Sequence, residues 1–227
     1  MHEQTAPDLT NYRLIHRAIR QALHQLAATA PEVDPADRRR TTALARWWKG
    51  YSGEVLAHHT VEDDIFFPAL VERVPVAAEL IARTDADHHV LDELMDQAAA
   101  EVDAVHRGAR PDSLAEVLRA LADHMDQHLD FEDADILPLF QRHFSREEYE
   151  GLDARAMKHI GIGRQAAFTV PFTVAAMTAE EFEHALGTAP LPMRLLYHLT
   201  KGRYARLEAT VFGSGTPVVT AGVEGVL

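Results

Sequence analysis

Two segments of the chain, seventy residues apart, repeat one pattern of chemical groups. In the first segment, Glu62 follows His58 by four residues. In the second, Glu132 follows His128 by the same interval. Residues four apart lie on one face of an α-helix, so each segment directs an imidazole and a carboxylate the same way. Each segment therefore has the composition of half a metal site.

The apolar residues around both pairs indicate that this direction is inward. They recur at alternating intervals of three and four, the pattern of a helix packed in a bundle, and each pair interrupts the stripe. A buried imidazole or carboxylate without a partner costs on the order of several kcal/mol, and a metal ion supplies a partner. The predicted stripes are Leu44, Trp48, Tyr51, Val55, His58, Glu62, Ile65 and Ala69, and Leu114, Leu118, Leu121, Met125, His128, Glu132, Asp135 and Leu139.

Two other histidines occupy core positions by the same criterion. His16 falls in a stripe with Tyr12 and Ile19, and His88 falls in one with Leu91 and Met95. Counting residues to the connecting loops brings the ligands on the second, third and fourth helices to one level within about one turn. His16 fits that level less closely, across an asymmetric loop. The sequence thus predicts a site that draws on all four helices.

The sequence pattern around these residues predicts an all-α protein. We expect an up-down-up-down four-helix bundle with helices near 8–28, 41–70, 76–107 and 112–142. Capping boxes at Ser145-Glu148 and Thr178-Glu181 predict further, shorter helices, and Leu195–Leu207 reads as another. The expected division is a bundle over 1–143, a helical C-terminal appendage over 144–212 and a flexible tail over 213–227.

Composition narrows the possible partners and cofactors. The formal net charge of −13 argues against nucleic acid or an anionic membrane as a partner. The chain has no cysteine, which excludes disulfides, thiolate metal sites and thiol catalysis. No basic, apolar leader precedes the first helix and no apolar run is long enough to span a bilayer, so we expect a cytoplasmic protein.

The donor inventory favours two ions rather than one. Four imidazoles and two carboxylates exceed the four ligands of a zinc site, and each carboxylate can bridge a pair of ions. Iron suits this mixture of nitrogen and oxygen best among the redox metals, and manganese and redox-inactive zinc are the less favoured alternatives. The predicted ligands are His16, His58, Glu62, His88, His128 and Glu132.

These motifs resemble those of the hemerythrin-like, or HHE cation-binding, family over about residues 9–142. The resemblance implies a four-helix bundle holding two irons, bridged by two carboxylates and an oxo or hydroxo group, with one position open for dioxygen or a related ligand. It makes Glu62 and Glu132 the bridging carboxylates. The residues that carry it are His16, His58, Glu62, Asp63, Pro68, His88, His128, Glu132, Asp133 and Pro138.

The chain also departs from the oxygen-carrying hemerythrins. Those proteins have two histidines four apart on the third helix, whereas here Asp92 follows His88 at that interval. They pair the last histidine with an aspartate five residues on, which leaves Asp133 as an alternative to Glu132. Fewer nitrogen ligands leave more exchangeable positions on iron, so we expect oxygen or peroxide chemistry rather than reversible carriage.

Several neighbouring residues are candidates for supporting or alternative roles. Tyr12 and Tyr51 lie on the inward stripes, either as packed core residues or as donors to a bound ligand. His124, one turn before His128, is an added ligand, a support for a ligand or a groove residue, and we favour a position outside the direct ligands. His59 and His89 are expected to flank the site, with His89 facing solvent. The supporting candidates are Tyr12, Tyr51, Asp63, Asp92, His124 and Asp133.

The function we predict is that of a non-haem di-iron protein that binds dioxygen or hydrogen peroxide and turns it over. One alternative is an iron, oxygen or nitric oxide sensor whose C-terminal helices report the state of the site. Another is a structural bundle without metal, in which removal of the buried Glu62 charge stabilises the fold. The sequence leaves the substrate and the electron donor open.

Overall fold

The computed structural model describes residues 6–161, 163 and 165–213, and within these ranges it contains helices and no strand. The expected all-α fold is confirmed. No helix among these residues is both long and apolar enough to cross a membrane. The predicted tail lies almost wholly outside the described residues. The helices are α1 Thr10–Thr29, α2 Arg38–Val61, α3 Phe67–Arg73, α4 Ala78–His106, α5 Asp112–Phe131, α6 Leu137–His143, α7 Arg146–Ile160, α8 Ala166–Ala175, α9 Ala179–Thr188 and α10 Leu191–Phe212.

Four rods form the bundle, and two of them are compound. A π-helical turn, Glu62–Phe66, joins α2 to α3, and a second one, Glu132–Ile136, joins α5 to α6. In the first turn the Phe67 amide donates to the Glu62 carbonyl, and in the second the Leu137 amide donates to the Glu132 carbonyl. Each compound rod therefore accommodates one residue more than a regular α-helix.

The extra residue shifts the buried face at the point where the metal motif ends. In the second rod Ile136 and Phe140 are fully buried, whereas Asp135 is exposed, so the prediction that Asp135 faces inward is wrong. In the first rod Leu70 is fully buried and Ala69 only partly. A proline follows each π-turn directly after the first residue of the next helix. Because proline clashes with the carbonyl four residues back, a widened turn relieves that contact.

The core consists of two apolar clusters with the polar motif between them. One fills the end of the bundle that includes Leu23, Leu44 and Leu118. The other fills the end that includes Phe66 and Phe140. Along every rod the predicted ligands lie between the residues of these clusters. The polar layer is thus enclosed by apolar packing on both sides, which keeps bulk water away from it.

The C-terminal helices pack directly on the bundle. Both predicted capping boxes are present, at the start of α7 and of α9. Helix α7 extends the cluster around Phe66, and α8 and α10 cover α1 and α2, which contact each other little. Phe172 and Tyr204 are buried in the same cluster as the bundle residues. Gly50 permits this approach, because a Cβ there would overlap the ring of Phe168.

Candidate metal centre

The six predicted ligands are all buried at the polar layer. Their exposed fractions run from 0% to 8%, which is unusual for groups that carry charge. Helix α1 contributes one of them, α4 contributes one, and the two compound rods contribute a histidine and a glutamate each. The residues brought together are His16, His58, Glu62, His88, His128 and Glu132.

The donor atoms form two adjacent groups. The first group combines His16 and His58 with Glu62 and Glu132, and these donor atoms lie within 4.8 Å of one another. The second group combines three imidazoles, His59, His88 and His128, within the same limit. Each group has the number and type of donor atoms that could hold a metal ion.

His59 is the residue that sequence reasoning placed wrongly, because it was expected to flank the site. Its ring is only 4% exposed and stacks on His88 with ring centres 4.0 Å apart. It also meets the ring of His128 edge-on at 5.4 Å. A signal for this existed: Val55, Glu62 and Phe66 lie at helical intervals from His59, and all are buried. Two consecutive histidines can both face a site that extends over two ions.

Each glutamate extends across both groups. One oxygen of Glu132, Oε2, lies 3.3 Å from His16 Nε2, whereas Oε1 lies 3.5 Å from His128 Nε2. Glu62 presents Oε1 to His58 Nε2 at 3.1 Å and Oε2 to His88 Nε2 at 3.6 Å. Two ligands each about 2.1 Å from one ion are roughly 3–4 Å apart when they subtend 90° or more. The two carboxylates are therefore placed to bridge.

The donors fit cations because protein partners do not satisfy them. Nε2 of each of the five histidines is buried without a hydrogen-bond partner among the described residues. The same holds for Oε2 of Glu62 and for both carboxylate oxygens of Glu132. A native core seldom leaves so many polar atoms unpaired at one point without an ion or water to satisfy them. The nitrogen and oxygen donors suit divalent first-row metals.

Burial and mutual repulsion set the protonation of the site. Burial lowers the pKa of His58 and His59 well below the usual imidazole value, and neighbouring imidazoles lower it further. Burial lowers the pKa of His128 to about 4, against the attraction of Glu132. Burial and then the charge of Glu132 raise the pKa of Glu62 well above its usual range. These three imidazoles are thus neutral, with lone pairs free to bind a cation.

Each π-turn supplies an aspartate that holds a histidine of another helix. Asp63 Oδ1 lies 3.2 Å from His88 Nδ1, and Asp133 Oδ1 lies 3.0 Å from His16 Nδ1. Burial would lower the pKa of His16, but its contacts with Asp133 and Glu132 outweigh that and raise it. A carboxylate at Nδ1 fixes the proton there and leaves Nε2 as the ligand atom. Asp133 thus lies behind a histidine, while Glu132 lies between the two groups.

The two tyrosines singled out in the sequence occupy different places. The Tyr12 hydroxyl donates a hydrogen bond to Glu62 Oε1, and its ring meets His16 and His58 edge-on. Burial raises the pKa of Tyr12 well above its usual range, so the phenol keeps its proton. Tyr51 instead donates to the Ile19 carbonyl at 3.4 Å and stacks on Trp47, away from the ligands.

The remaining candidates lie at the surface or at the edge of the site. Asp92 is exposed, so it does not join the ligands, and His89 faces solvent as expected. His124 is partly buried with its Nε2 3.9 Å from Asp87 Oδ1. Five further histidines are exposed and lie outside the site: His24, His143, His159, His184 and His198.

The burial of His59 among the donor atoms raises the number of nitrogen donors above the number expected from the sequence. The expected shortage of nitrogen ligands was the reason for favouring oxygen or peroxide chemistry over reversible carriage. Five imidazoles, rather than four, now converge on the two donor groups. The count of nitrogen donors therefore no longer separates these two functions.

Comparison with known proteins identifies the family. No curated protein and no solved structure matches the chain. The sequence model of the hemerythrin HHE cation-binding domain matches residues 8–140, which include all seven donor residues and both aspartates behind them. This match covers more than half of the chain, and the chain therefore belongs to the hemerythrin HHE cation-binding domain family.

Proposed function

We propose that the chain is a non-haem di-iron protein that binds dioxygen or hydrogen peroxide and directs redox chemistry at the bound molecule. The observation that supports this most is the pair of donor groups that share the carboxylates of Glu62 and Glu132. Iron bound to imidazole and carboxylate supplies one-electron chemistry and affinity for oxygen ligands. Family membership supports a cation site, and the choice of iron rests on the donor types.

The two donor groups are unequal, which gives the site a preferred side. One oxygen of each glutamate together with His16 and His58 makes four protein donors for one ion. The other oxygens together with His59, His88 and His128 make five for the other ion. Since iron commonly takes six ligands, the ion beside His16 and His58 has more room for a small molecule. We place oxygen or peroxide binding on that side.

The residues on that side can position a small oxygen ligand and exclude water. Tyr12 directs its hydroxyl to Glu62, and Phe66 packs edge-on against the ring of Tyr12. A phenol that keeps its proton can donate a hydrogen bond to an anionic ligand in exchange for its bond to Glu62. Asp133 holds His16 in the orientation that exposes Nε2. The chain thus contributes orientation and a proton donor within an apolar enclosure.

The test is metal analysis of aerobically purified full-length protein, with its visible spectrum and its rate of peroxide loss. We expect two irons per chain and peroxide loss that both His58→Ala and Glu132→Ala abolish. His89→Ala is the matched control, because this exposed histidine neighbours His88 but faces solvent. Protein that binds only zinc, or the ligand variants that retain full iron and full peroxide loss, would contradict the proposal.

A sensor is the second candidate, and one contact favours it. The Thr169 hydroxyl on α8 donates to Glu54 Oε2 on α2, one helical turn before His58. A change in the position of the ligand histidines can therefore reach the C-terminal helices through α2. A sensor requires that these helices differ between two ligand states. Hydrogen exchange across residues 145–212, with and without oxidant, tests this, and identical protection in both states would remove its basis.

A further inference from the structure

One polar pair lies between the buried centre and the solvent, between α4 and α5. Asp87 immediately precedes His88, and His124 lies one turn before His128. The side chains of the pair are 26% and 28% exposed, in contrast to the ligands behind them. The charge of Asp87 also acts on His128, against the burial that lowers its pKa. The pair therefore faces solvent and adjoins the second donor group.

The separation within this pair suits a cation better than a hydrogen bond. His124 Nε2 and Asp87 Oδ1 are 3.9 Å apart, beyond hydrogen-bond range. His124 Nε2 is shielded from solvent and has no hydrogen-bond partner among the described residues. An imidazole nitrogen and a carboxylate oxygen about 2.1 Å from one ion reach this separation at a wide ligand–metal–ligand angle. Two protein ligands leave the other positions of a hydrated ion to water.

Two other carboxylates at the rim are already engaged. Asp63 and Asp133 are 41% and 37% exposed, but each contacts the Nδ1 atom of a ligand histidine. A cation that bound at either one would compete with that contact. Asp87 and His124 combine exposure with a nitrogen that lacks a partner. An ion that binds between them displaces no contact of a predicted ligand.

We propose that Asp87 and His124 form an outer divalent-cation site that captures iron(II) from solution and passes it to the group of His59, His88 and His128. This inference rests on the proposed metal centre. The outer site binds weakly because it has two protein ligands, whereas the inner group has three imidazoles and shared carboxylates. The ion therefore moves inward, from the weaker outer site to the tighter inner group. The net charge of the whole chain, −13, attracts cations to the protein.

The experiment measures the rate of metal loading and the final occupancy separately. Full-length metal-free protein is mixed anaerobically with iron(II), and uptake is followed by stopped-flow competition with a coloured chelator. We expect His124→Ala and Asp87→Asn each to slow uptake by roughly tenfold, the scale of local electrostatic capture, while both still bind two ions per chain at the end point. His89→Ala, which replaces an exposed histidine on the same helix as Asp87, should load at the wild-type rate.

Each outcome bears on the inference. Wild-type loading rates in both His124→Ala and Asp87→Asn would overturn it, as would loss of an ion at the end point, because the pair would then belong to the centre. Thermal denaturation of the metal-free variants excludes a folding defect as the cause of slow loading. If wild-type protein itself binds fewer than two ions, the proposed di-iron function fails instead, and the end point reveals this independently of the rate.

Discussion

At the scale of residues, the two halves of the site repeat one local design with different results. In each half a glutamate lies between the donor groups, and the aspartate that follows it supports a histidine of another helix. The halves differ in the residue after the first histidine, which is His59 in one and Leu129 in the other. This single difference gives the second group its third imidazole. The inequality of the two donor groups thus traces to one residue.

Replacement of that residue should affect one ion and spare the other. We expect His59→Ala to lower the affinity for one of the two ions by more than about tenfold, since even groups behind a ligand are worth 10–100-fold. The ion beside His16 and His58 should remain. Metal analysis after dialysis against a weak chelator measures the stoichiometry, with His89→Ala as the control. Retention of two ions at wild-type affinity would show that His59 is not a ligand.

Among the elements, the helices and the burial of the predicted ligands could be predicted from the sequence. Packing in a bundle gives buried residues a period near 3.5 residues. The stripe through His88 also holds in the structure, where Thr84 and Leu91 are buried with it. The π-turns could not be predicted from that period, because an extra residue changes the register without changing the composition. The proline after each turn and the charged Asp135 in an apolar stripe were the signals available.

The packing of α8 and α10 on the bundle could not be predicted from the sequence either. Apolar residues are spread around α10, with Leu195 and Leu199 exposed and Tyr204 and Val211 buried, so no single face identifies its contact. The contact of α8 with α2 depends on Gly50. A single glycine leaves no periodic pattern in the sequence. A glycine within a helix usually indicates only lower helix propensity. Its use as a point of close approach emerges from the position of Phe168.

Two glycine substitutions distinguish a glycine that permits close approach from one that only lowers helix propensity. Gly50→Ala should destabilise the protein by about 1–3 kcal/mol, because its Cβ forces Phe168 and α8 away from α2. Gly151→Ala, at a helical site where a Cβ meets nothing within 4 Å, should instead stabilise it by about 0.5–1 kcal/mol. Urea denaturation of both variants measures the free energies of unfolding. Equal effects of the same sign would contradict the close approach.

At the scale of the whole molecule, the C-terminal helices complete the core on the side where α1 and α2 contact each other little. Two buried carboxyls that belong to neither donor group lie at this junction. Glu54 accepts a hydrogen bond from Thr169, and Glu208 accepts one from Tyr204 at 2.8 Å. Burial raises the pKa of both carboxyls, although these hydrogen bonds oppose the shift. The junction therefore accepts these groups most readily in their neutral form.

This arrangement gives the junction a pH dependence of known sign. An acid whose pKa is raised by folding binds more protons in the folded state. Its full stabilising contribution is present below the unfolded pKa of about 4.3 and is lost as pH rises towards the folded value. Glutamine keeps the shape and the acceptor oxygen but carries no charge. Glu54→Gln with Glu208→Gln should therefore gain stability relative to wild type as pH rises from 5 to 8.

Chemical denaturation of metal-free wild-type and double-variant protein at both pH values measures this gain, and the titration of the metal ligands cancels because both proteins share it. Glu180→Gln with Glu183→Gln, at two exposed carboxyls on α9, controls for the change of two charges and should show no such trend. A stability difference that is the same at pH 5 and pH 8 would mean that the buried carboxyls do not titrate with folding. The two carboxyls would then make no pH-dependent contribution to the attachment of the C-terminal helices.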